Sequence, residues 1–142
     1  MHYSKLGSSG VEVSRVCLGS MTWGIQNNQE EANEQIEYAL NKGVNFIDTA
    51  ELYPVPPSGD KYGGTEVIIG NWLAENSTKR KDLILASKIA GPGLSYIRGG
   101  AKISGESVIA AVDASLKRLQ TDYIDLFQLH WPNRTPPNFS KH

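Results

Sequence analysis

The order of sequence patterns along the 142-residue chain predicts an α/β fold built around a parallel sheet. Four short apolar segments, typical of buried strands, alternate with three segments in which apolar residues recur at helical spacing. This alternation is the order that right-handed βαβ crossovers produce. Two architectures fit it. One is an open doubly wound sheet, and the other is a (β/α)8 barrel, which needs about 250 residues and of which this chain holds about half.

The predicted strands come after a short N-terminal hairpin, in which residues 3–6 and 11–13 flank the turn-rich tetrapeptide Gly7–Gly10. The four strands of the sheet are predicted at Arg15–Leu18, Val44–Asp48, Asp82–Ser87 and Tyr123–Leu129. The first is interpreted as a buried strand in which Cys17 is a small core residue. After the fourth, regular structure is expected to end at three prolines: Pro132, Pro136 and Pro137.

Each predicted helix is recognised by an apolar stripe. The first begins with acidic residues, ends before Gly43 and carries the stripe Ala32, Ile36, Ala39 and Leu40. The second has Thr65 as its expected N-cap and carries on one face Ile68, Ile69, Trp72 and Leu73, so that Trp72 is core packing. The third starts at Ser104 and carries the stripe Val108, Val112, Leu116 and Leu119.

The composition excludes several classes of protein. With 14 Lys and Arg against 15 Asp and Glu, the chain lacks the basic excess of a nucleic-acid or anionic-membrane binder. Its 39% hydrophobic and 20% charged residues suit one globular domain, residues 1–142. The single cysteine, Cys17, excludes an internal disulfide and a four-cysteine zinc site, and no metal is expected. Without a leader-like segment or a run of about 20 apolar residues, a soluble, cytoplasmic protein is expected.

Ionisable side chains stand at the ends of three of the four predicted strands. Asp48 ends the second strand, Lys88 comes after the third and His130 after the fourth. Ligands of parallel α/β folds bind where the carboxyl ends of the strands meet. Burial of an ionisable group among apolar residues is costly without a partner, and Asp48 and Lys88 could partner each other. Tyr53 comes five residues after Asp48, in a loop rich in proline and glycine.

A carboxylate, a phenol, an ammonium and an imidazole suit the reduction of a carbonyl. A phenol, with a pKa near ~10, is a weak acid at neutral pH. A neighbouring ammonium stabilises the phenolate and makes the phenol a better proton donor, while a carboxylate holds the ammonium in place. A neutral imidazole can orient a carbonyl oxygen by a hydrogen bond. Such a set can protonate the oxygen while hydride reaches the carbon from a nicotinamide.

Each of these residues also has an ordinary structural explanation when taken alone. Asp48 could be a turn aspartate, Tyr53 a surface tyrosine, Lys88 a solvated lysine and His130 a packed, hydrogen-bonded histidine. Only their combination favours an active site.

Two runs of sequence resemble the aldo-keto reductases. The segment Phe46–Tyr53 reads FIDTAELY and resembles the family signature F-I-D-T-A-x-x-Y. The segment Leu116–Leu126 resembles the family's S-L-x-R-L-x-x-D-Y-I-D-L run, and the next match is the tripeptide His130, Trp131 and Pro132. Two further segments are most similar to bacterial Tas-type members: Tyr53–Pro57 and Gly70–Ala74. The resemblance extends from about Tyr3 to Pro137 and implies a (β/α)8 TIM barrel, here its first four βα units with an N-terminal hairpin.

The resemblance implies an NADPH-dependent oxidoreductase that reduces an aldehyde or ketone to an alcohol. Tyr53 would be the general acid, Lys88 and Asp48 would tune it, and His130 would orient the carbonyl of a small-molecule substrate. Asp48 would also lie near the nicotinamide ribose of NADP(H).

The resemblance further implies binding residues on both sides of the reacting atoms. The wall on the nicotinamide side would be formed by Gly19, Ser20 and Met21. The mouth of the substrate site would be lined by Trp23 and Trp131.

Members of that family are more than twice as long as this chain, which is therefore expected to be a truncated, N-terminal half. Its unpaired sheet edges are expected to favour self-association. Two alternatives to the enzyme stay open at this point. The chain could be a catalytically inactive fragment or assembly subunit, or an open sheet that binds a nucleotide without catalysis.

Overall fold

The computed structural model describes residues 1–134. Within these residues the strands are β1 (Tyr3–Lys5), β2 (Glu12–Ser14), β3 (Cys17–Gly19), β4 (Phe46–Asp48), β5 (Ile84–Ile89) and β6 (Leu126–Leu129). The helices are α1 (Gln29–Asn41), α2 (Gly64–Glu75) and α3 (Gly105–Leu119). The predicted stops at Pro136 and Pro137 lie outside the described residues.

The sheet is parallel, and its strand order β3-β4-β5-β6 is the order of the chain. A doubly wound sheet reverses its strand order at a switch point, whereas a (β/α) barrel adds each strand beside the last. The helices also pack in chain order, α1 against α2 and α2 against α3. The described residues therefore form four strands of a partial (β/α) barrel, so that the barrel prediction is confirmed and the open doubly wound sheet is wrong.

The N-terminal hairpin is formed as predicted. Strand β1 pairs antiparallel with β2, and the hairpin is fastened to the segment before β4. The backbone N–H of Ser14 donates to Asn45 Oδ1 (2.7 Å), and Asn45 Nδ2 donates to the carbonyl oxygen of Glu12 (3.1 Å). The Tyr3 hydroxyl donates to the carbonyl oxygen of Gly43 (2.7 Å). These bonds hold the hairpin at the end of the sheet away from the strand carboxyl ends.

The main core lies between the sheet and the helices. Its fully buried members include Ile36 of α1, Ile47 of β4, Leu85 of β5 and Trp72 of α2. The prediction that Trp72 is core packing is confirmed, since its side chain is 1% exposed. Helix α1 begins with a capping box formed by Asn28 and Glu31. None of the helices within residues 1–134 is long and apolar enough to span a membrane.

The prediction of Cys17 as a core residue in a buried strand is wrong. Strand β3 is an edge of the sheet in the described residues, and the Cys17 side chain is exposed. Its neighbour Leu18 packs against the main core under the helices. Because side chains alternate along a strand, Cys17 points to the opposite, concave face of the sheet. A short apolar segment does not reveal which of its residues faces the helices.

The prediction of Thr65 as the N-cap of α2 is also wrong. Gly63, with a left-handed φ of 79°, precedes the helix, and no side chain of the described residues caps it. Thr65 lies inside the first turn, fully buried, where its hydroxyl donates to the carbonyl oxygen of Trp23 (2.7 Å). A buried hydroxyl needs such a partner, and this one comes from a distant loop.

Helix α3 starts as predicted, with Ser104 as N-cap and Ser107 completing the capping box. Its buried face, however, is Ala111, Ser115 and Leu119, while the predicted stripe residues Val108, Val112 and Leu116 are only half-buried. The small residues face inward because α2 and α3 approach closely at Gly70, where a Cβ atom would overlap the Arg118 carbonyl oxygen. Helix contact at this distance leaves no room for a valine or leucine stripe.

Candidate active site

Three of the four predicted site residues lie at the carboxyl end of the sheet, on one face. Asp48 is the last residue of β4, and Lys88 lies within β5, which continues to Ile89 rather than ending at Ser87. His130 comes directly after β6. In the register of the sheet, Asp48 pairs with Ala86 and Lys88 pairs with Gln128. Because alternate residues share a face, Asp48, Lys88 and His130 all point to the concave side.

Lys88 is fixed by two acceptors. Its Nζ lies 2.6 Å from Asp48 Oδ2 and donates a second hydrogen bond to the carbonyl oxygen of Thr49 (2.8 Å). The side chains of Lys88 and Asp48 are 14% and 29% exposed, so the pair is shielded from water on most sides. The predicted partnership between these two residues is formed. Two of the three ammonium N–H groups are thereby committed, and the third can face the concave side.

The Tyr53 ring is close to both the ammonium and the imidazole. Lys88 Nζ is 5.0 Å from the centre of the Tyr53 ring, and the His130 ring centre is 5.5 Å from it with the two planes nearly perpendicular (84°). The loop that carries Tyr53 is anchored by a hydrogen bond from the Val55 N–H to the Met21 carbonyl oxygen (2.8 Å). The structure thus brings the carboxylate, ammonium, phenol and imidazole together, and we call Asp48, Tyr53, Lys88 and His130 the tetrad.

The environment of His130 favours the neutral imidazole. Burial lowers its pKa below the usual 6.5, and the Lys88 ammonium lowers it further, against the opposing carboxylates of Asp48 and Glu51. Its Nδ1 is buried and has no hydrogen-bond partner among the residues the structure describes. A neutral imidazole can donate one hydrogen bond to a carbonyl oxygen without adding positive charge beside the ammonium.

The residues predicted to face the nicotinamide lie beside Asp48. Gly19 pairs with Asp48 across β3 and β4, and the buried Ser20 hydroxyl donates to the Asp48 carbonyl oxygen (2.7 Å). Met21 comes next at the rim and is 51% exposed. A Cβ placed on Gly19 would meet no atom of the described residues within 4 Å, so the space over this glycine is open. These residues leave open space beside a partly exposed carboxylate, where a ligand could bind.

The two tryptophans predicted at the substrate mouth lie in different places. Trp131 lies next to the tetrad, with its ring centre 5.3 Å from that of His130, and its Nε1 donates to the Pro92 carbonyl oxygen (3.1 Å). Trp23 is fully buried in the main core, and its Nε1 donates to Gln35 Oε1 (2.9 Å). The placement of Trp23 at the mouth is therefore corrected, because the turn after β3 folds this side chain under the sheet, toward α1.

Sequence reasoning missed the ion pair behind Tyr53. Glu51, only 2% exposed, receives two hydrogen bonds from the Arg98 guanidinium. Glu51 occupies an unspecified position of the signature, so the signature gives it no role. A signal was nevertheless present, since a glutamate between Ala50 and Leu52 in a buried segment requires a partner.

Comparison with known proteins matches the chain to one family over most of its length. Residues 15–140 match the Aldo/keto reductase family. The chain is 45% identical to Protein tas of Escherichia coli (strain K12) over 144 residues, which covers 99% of the chain and 41% of that protein. It is 38% identical to the uncharacterized oxidoreductase YrpG of Bacillus subtilis (strain 168), over 96% of the chain and 42% of that protein.

Solved structures agree with the sequence matches. The structure superposes on a holo-form aldo-keto reductase from Bacillus halodurans with a TM-score of 0.72 and 35% identity, covering 91% of this chain and 40% of that one. A thermostable aldo-keto reductase in complex with the inhibitor epalrestat gives a TM-score of 0.69 and 33% identity, covering 94% and 44%. The chain thus spans about two-fifths of the length of these relatives. The resemblance to Tas-type members is confirmed, and the chain belongs to the aldo-keto reductase family.

Proposed function

We propose that the chain carries the proton-donor site of an NADPH-dependent oxidoreductase that reduces an aldehyde or ketone to an alcohol. The observation that carries this proposal is the position of the Lys88 ammonium, 2.6 Å from Asp48 Oδ2 and 5.0 Å from the centre of the Tyr53 ring. A fixed cation beside a phenol is what proton donation by that phenol requires, because the proton leaves a phenolate behind.

In this proposal Tyr53 is the general acid. Its proton passes to the carbonyl oxygen of the substrate, and the negative charge that remains on the phenol oxygen is stabilised by Lys88. Asp48 prevents the ammonium from turning away, since it holds one of the three N–H groups and the Thr49 carbonyl oxygen holds another. The cation is therefore in place before the reaction and needs little reorganisation as charge develops.

His130 would orient the carbonyl oxygen between itself and Tyr53. The two rings are in edge contact at 5.5 Å, so an oxygen that reaches one side chain is close to the other. The lowered pKa of His130 keeps the imidazole neutral at neutral pH, so it donates a hydrogen bond without competing as the acid. Trp131, beside His130, would form one wall of the substrate site.

A nicotinamide cofactor, when bound, supplies the hydride that reaches the carbonyl carbon. Gly19, Ser20, Met21 and Asp48 would hold its nicotinamide end. The open space over Gly19 and the partly exposed carboxylate of Asp48 support this placement. The small-molecule substrate would approach on the side of Trp131.

The test is NADPH-dependent reduction of an aromatic aldehyde, measured by the loss of cofactor absorbance, with Tyr53→Phe as the decisive variant. Loss of general acid catalysis should lower kcat by roughly 10²- to 10⁴-fold. Tyr38→Phe is the matched control, since Tyr38 is 67% exposed on α1 and lies outside the tetrad. Full activity in Tyr53→Phe contradicts the proposal. So does the absence of any NADPH binding at millimolar concentration in a fluorescence titration.

A second candidate function, that of a non-catalytic assembly subunit, is favoured by the edges of the sheet. Within the described residues β3 and β6 each pair on one side only, and near them Val16 and Leu129 are 54% and 60% exposed. Such edges promote association of β-sheets. Size-exclusion chromatography with light scattering should then show a dimer or larger species, and a stable monomer at high concentration contradicts this candidate.

A further inference from the structure

We infer that Glu51 and Arg98 form a positioning pair, which fixes the loop carrying Tyr53 against the loop on which Trp131 packs; this role rests on the proposed function. The pair joins two segments that are far apart in the sequence and that each support a side chain of the site. Neither residue belongs to the tetrad.

The contacts of Glu51 use both of its carboxylate oxygens. Oε1 accepts from Arg98 Nη2 (2.6 Å) and from the backbone N–H of Ala90 (2.5 Å), and Oε2 accepts from Arg98 Nη1 (2.8 Å). Arg98 Nη2 also donates to the Ala90 carbonyl oxygen (3.1 Å). The backbone N–H of Glu51 donates to the Lys88 carbonyl oxygen (3.1 Å). The segment that leads to Tyr53 is thus bonded to β5 and to the residue just after it, through both backbone and side chain.

The same pair supports the wall at Trp131. Trp131 packs directly over Gly91 and donates to the Pro92 carbonyl oxygen, in the two residues that come after Ala90. A separate small apolar cluster surrounds this region: its buried members are Leu52, Ala90 and Ile97, and Trp131 packs against it. The cluster is not part of the main core, so the position of Trp131 depends on how the loop after β5 is held.

The conformation of Arg98 indicates that the loop is held under constraint. Its backbone φ of 47° lies in the left-handed region, which residues other than glycine rarely adopt. The side chain is 26% exposed, yet its guanidinium is committed to Glu51 in a two-pronged arrangement. A residue keeps an unfavourable backbone conformation where surrounding contacts determine it, and such residues cluster at functional sites.

The charge of Glu51 also reaches His130. Four groups act on this imidazole: Tyr53 by edge contact between the rings, and Lys88, Asp48 and Glu51 by their charges. Glu51 raises the pKa of His130 and so opposes burial and Lys88. Loss of the Glu51 charge should therefore move the titration midpoint of His130 further down, which loss of a merely structural ion pair elsewhere would not do.

The experiment compares Glu51→Gln with Glu66→Gln. Glu66 is fully buried and also pairs with a guanidinium, that of Arg118 (2.6 Å). It further accepts a hydrogen bond from the Ser87 hydroxyl, on the face of β5 that packs against the helices and lies opposite the tetrad. Three quantities are measured in each variant: the His130 midpoint by NMR, the solvent exchange of the Trp131 indole N–H, and kcat. The indole signal is identified by its loss in Trp131→Phe.

In Glu51→Gln we expect a lower His130 midpoint, about tenfold faster indole exchange and a kcat lowered by roughly 10- to 100-fold. Glu66→Gln should lose stability with none of these three changes. If Glu51→Gln behaves like Glu66→Gln, the pair is only structural and the inference is overturned. The midpoint and the exchange rate can be measured even in a chain that reduces no carbonyl, so failure of the proposed function is distinguishable from failure of this inference.

Arg98→Lys covers the case in which Glu51→Gln does not fold. A lysine keeps the positive charge but cannot reproduce the fork that binds both oxygens. We expect an unchanged His130 midpoint with faster indole exchange, because the charge stays and the geometry is lost. Indole exchange equal to that of the wild type in Arg98→Lys overturns the inference.

Discussion

Gly91→Ala tests whether close packing of the loop after β5 positions Trp131. A Cβ on Gly91 would lie 2.6 Å from Trp131 Cε2, and closer still to Cδ1 and Nε1, whereas ordinary contacts begin at 3.4 Å. The nearest indole atoms must therefore move by about 1.2 Å to reach that distance. Overpacking of this size costs about 1–3 kcal/mol, and loss of the bond to Pro92 adds about 1 kcal/mol. We expect the free energy of unfolding to fall by about 2–4 kcal/mol.

The assay is urea unfolding at equilibrium, with Gly105→Ala as the matched control. A Cβ on Gly105 meets no atom of the described residues within 4 Å, and this residue begins α3 with an ordinary φ, so the control should be neutral or stabilised by up to about 1 kcal/mol. Indole exchange at Trp131 should rise only in Gly91→Ala. A free energy of unfolding for Gly91→Ala within about 0.5 kcal/mol of the control refutes the packing argument.

Three further predictions concern charge and packing. The titration midpoint of His130 should lie below 6.5, because burial and the Lys88 ammonium lower its pKa, and Lys88→Met should raise that midpoint. An NMR titration measures both midpoints, and a wild-type midpoint above 6.5 contradicts the geometry. Because the His130 imidazole binds a proton at higher pH in the unfolded chain than in the folded one, the free energy of unfolding should fall as the pH decreases from 6.5 toward the folded-state pKa. Urea unfolding of His130→Gln should show a smaller fall over the same pH range. Gly70→Ala should lower the free energy of unfolding by at least about 2 kcal/mol, because the new methyl group meets the Arg118 backbone. If this variant has the same urea midpoint of unfolding as the wild type, α2 and α3 are not in close contact.

The order of strands and helices could be predicted because each helix carries its own apolar periodicity and each strand its own apolar run. The ends of the strands could not. The prediction placed residues 44–48 in a strand, but β4 begins at Phe46. The backbone N–H of Asn45 donates to the Ser14 hydroxyl of the hairpin (3.2 Å) and not to a neighbouring strand of the sheet. Likewise β5 begins at Ile84, after a 3₁₀ turn at Ser77–Asp82 that no pattern in the sequence indicates.

The convergence of the tetrad could be predicted because three of its members lie at strand ends, where topology alone places them. The fourth, Tyr53, lies on a loop, and its position depends on the contacts of that loop with Met21 and Lys88. The burial of Trp23 could not be predicted, since it depends on how the loop after β3 folds. The role of Glu51 was hidden for a related reason: its partner Arg98 lies 47 residues away, on a loop without periodicity.

Strand β5 is held at both ends by ion pairs, and this arrangement helps to fix the side chains of the tetrad. At the end opposite the tetrad, Arg80 binds Asp125 (2.8 Å), whose Oδ2 also accepts from the backbone N–H of Leu85 (2.9 Å). At the tetrad end, Glu51 and Arg98 bind the segment after β5. Buried pairs contribute little net stability, but they tolerate few alternative geometries, because an unpaired buried charge is costly. Within residues 1–134, the contacts that bring the tetrad together join adjacent strands and the loops that follow them.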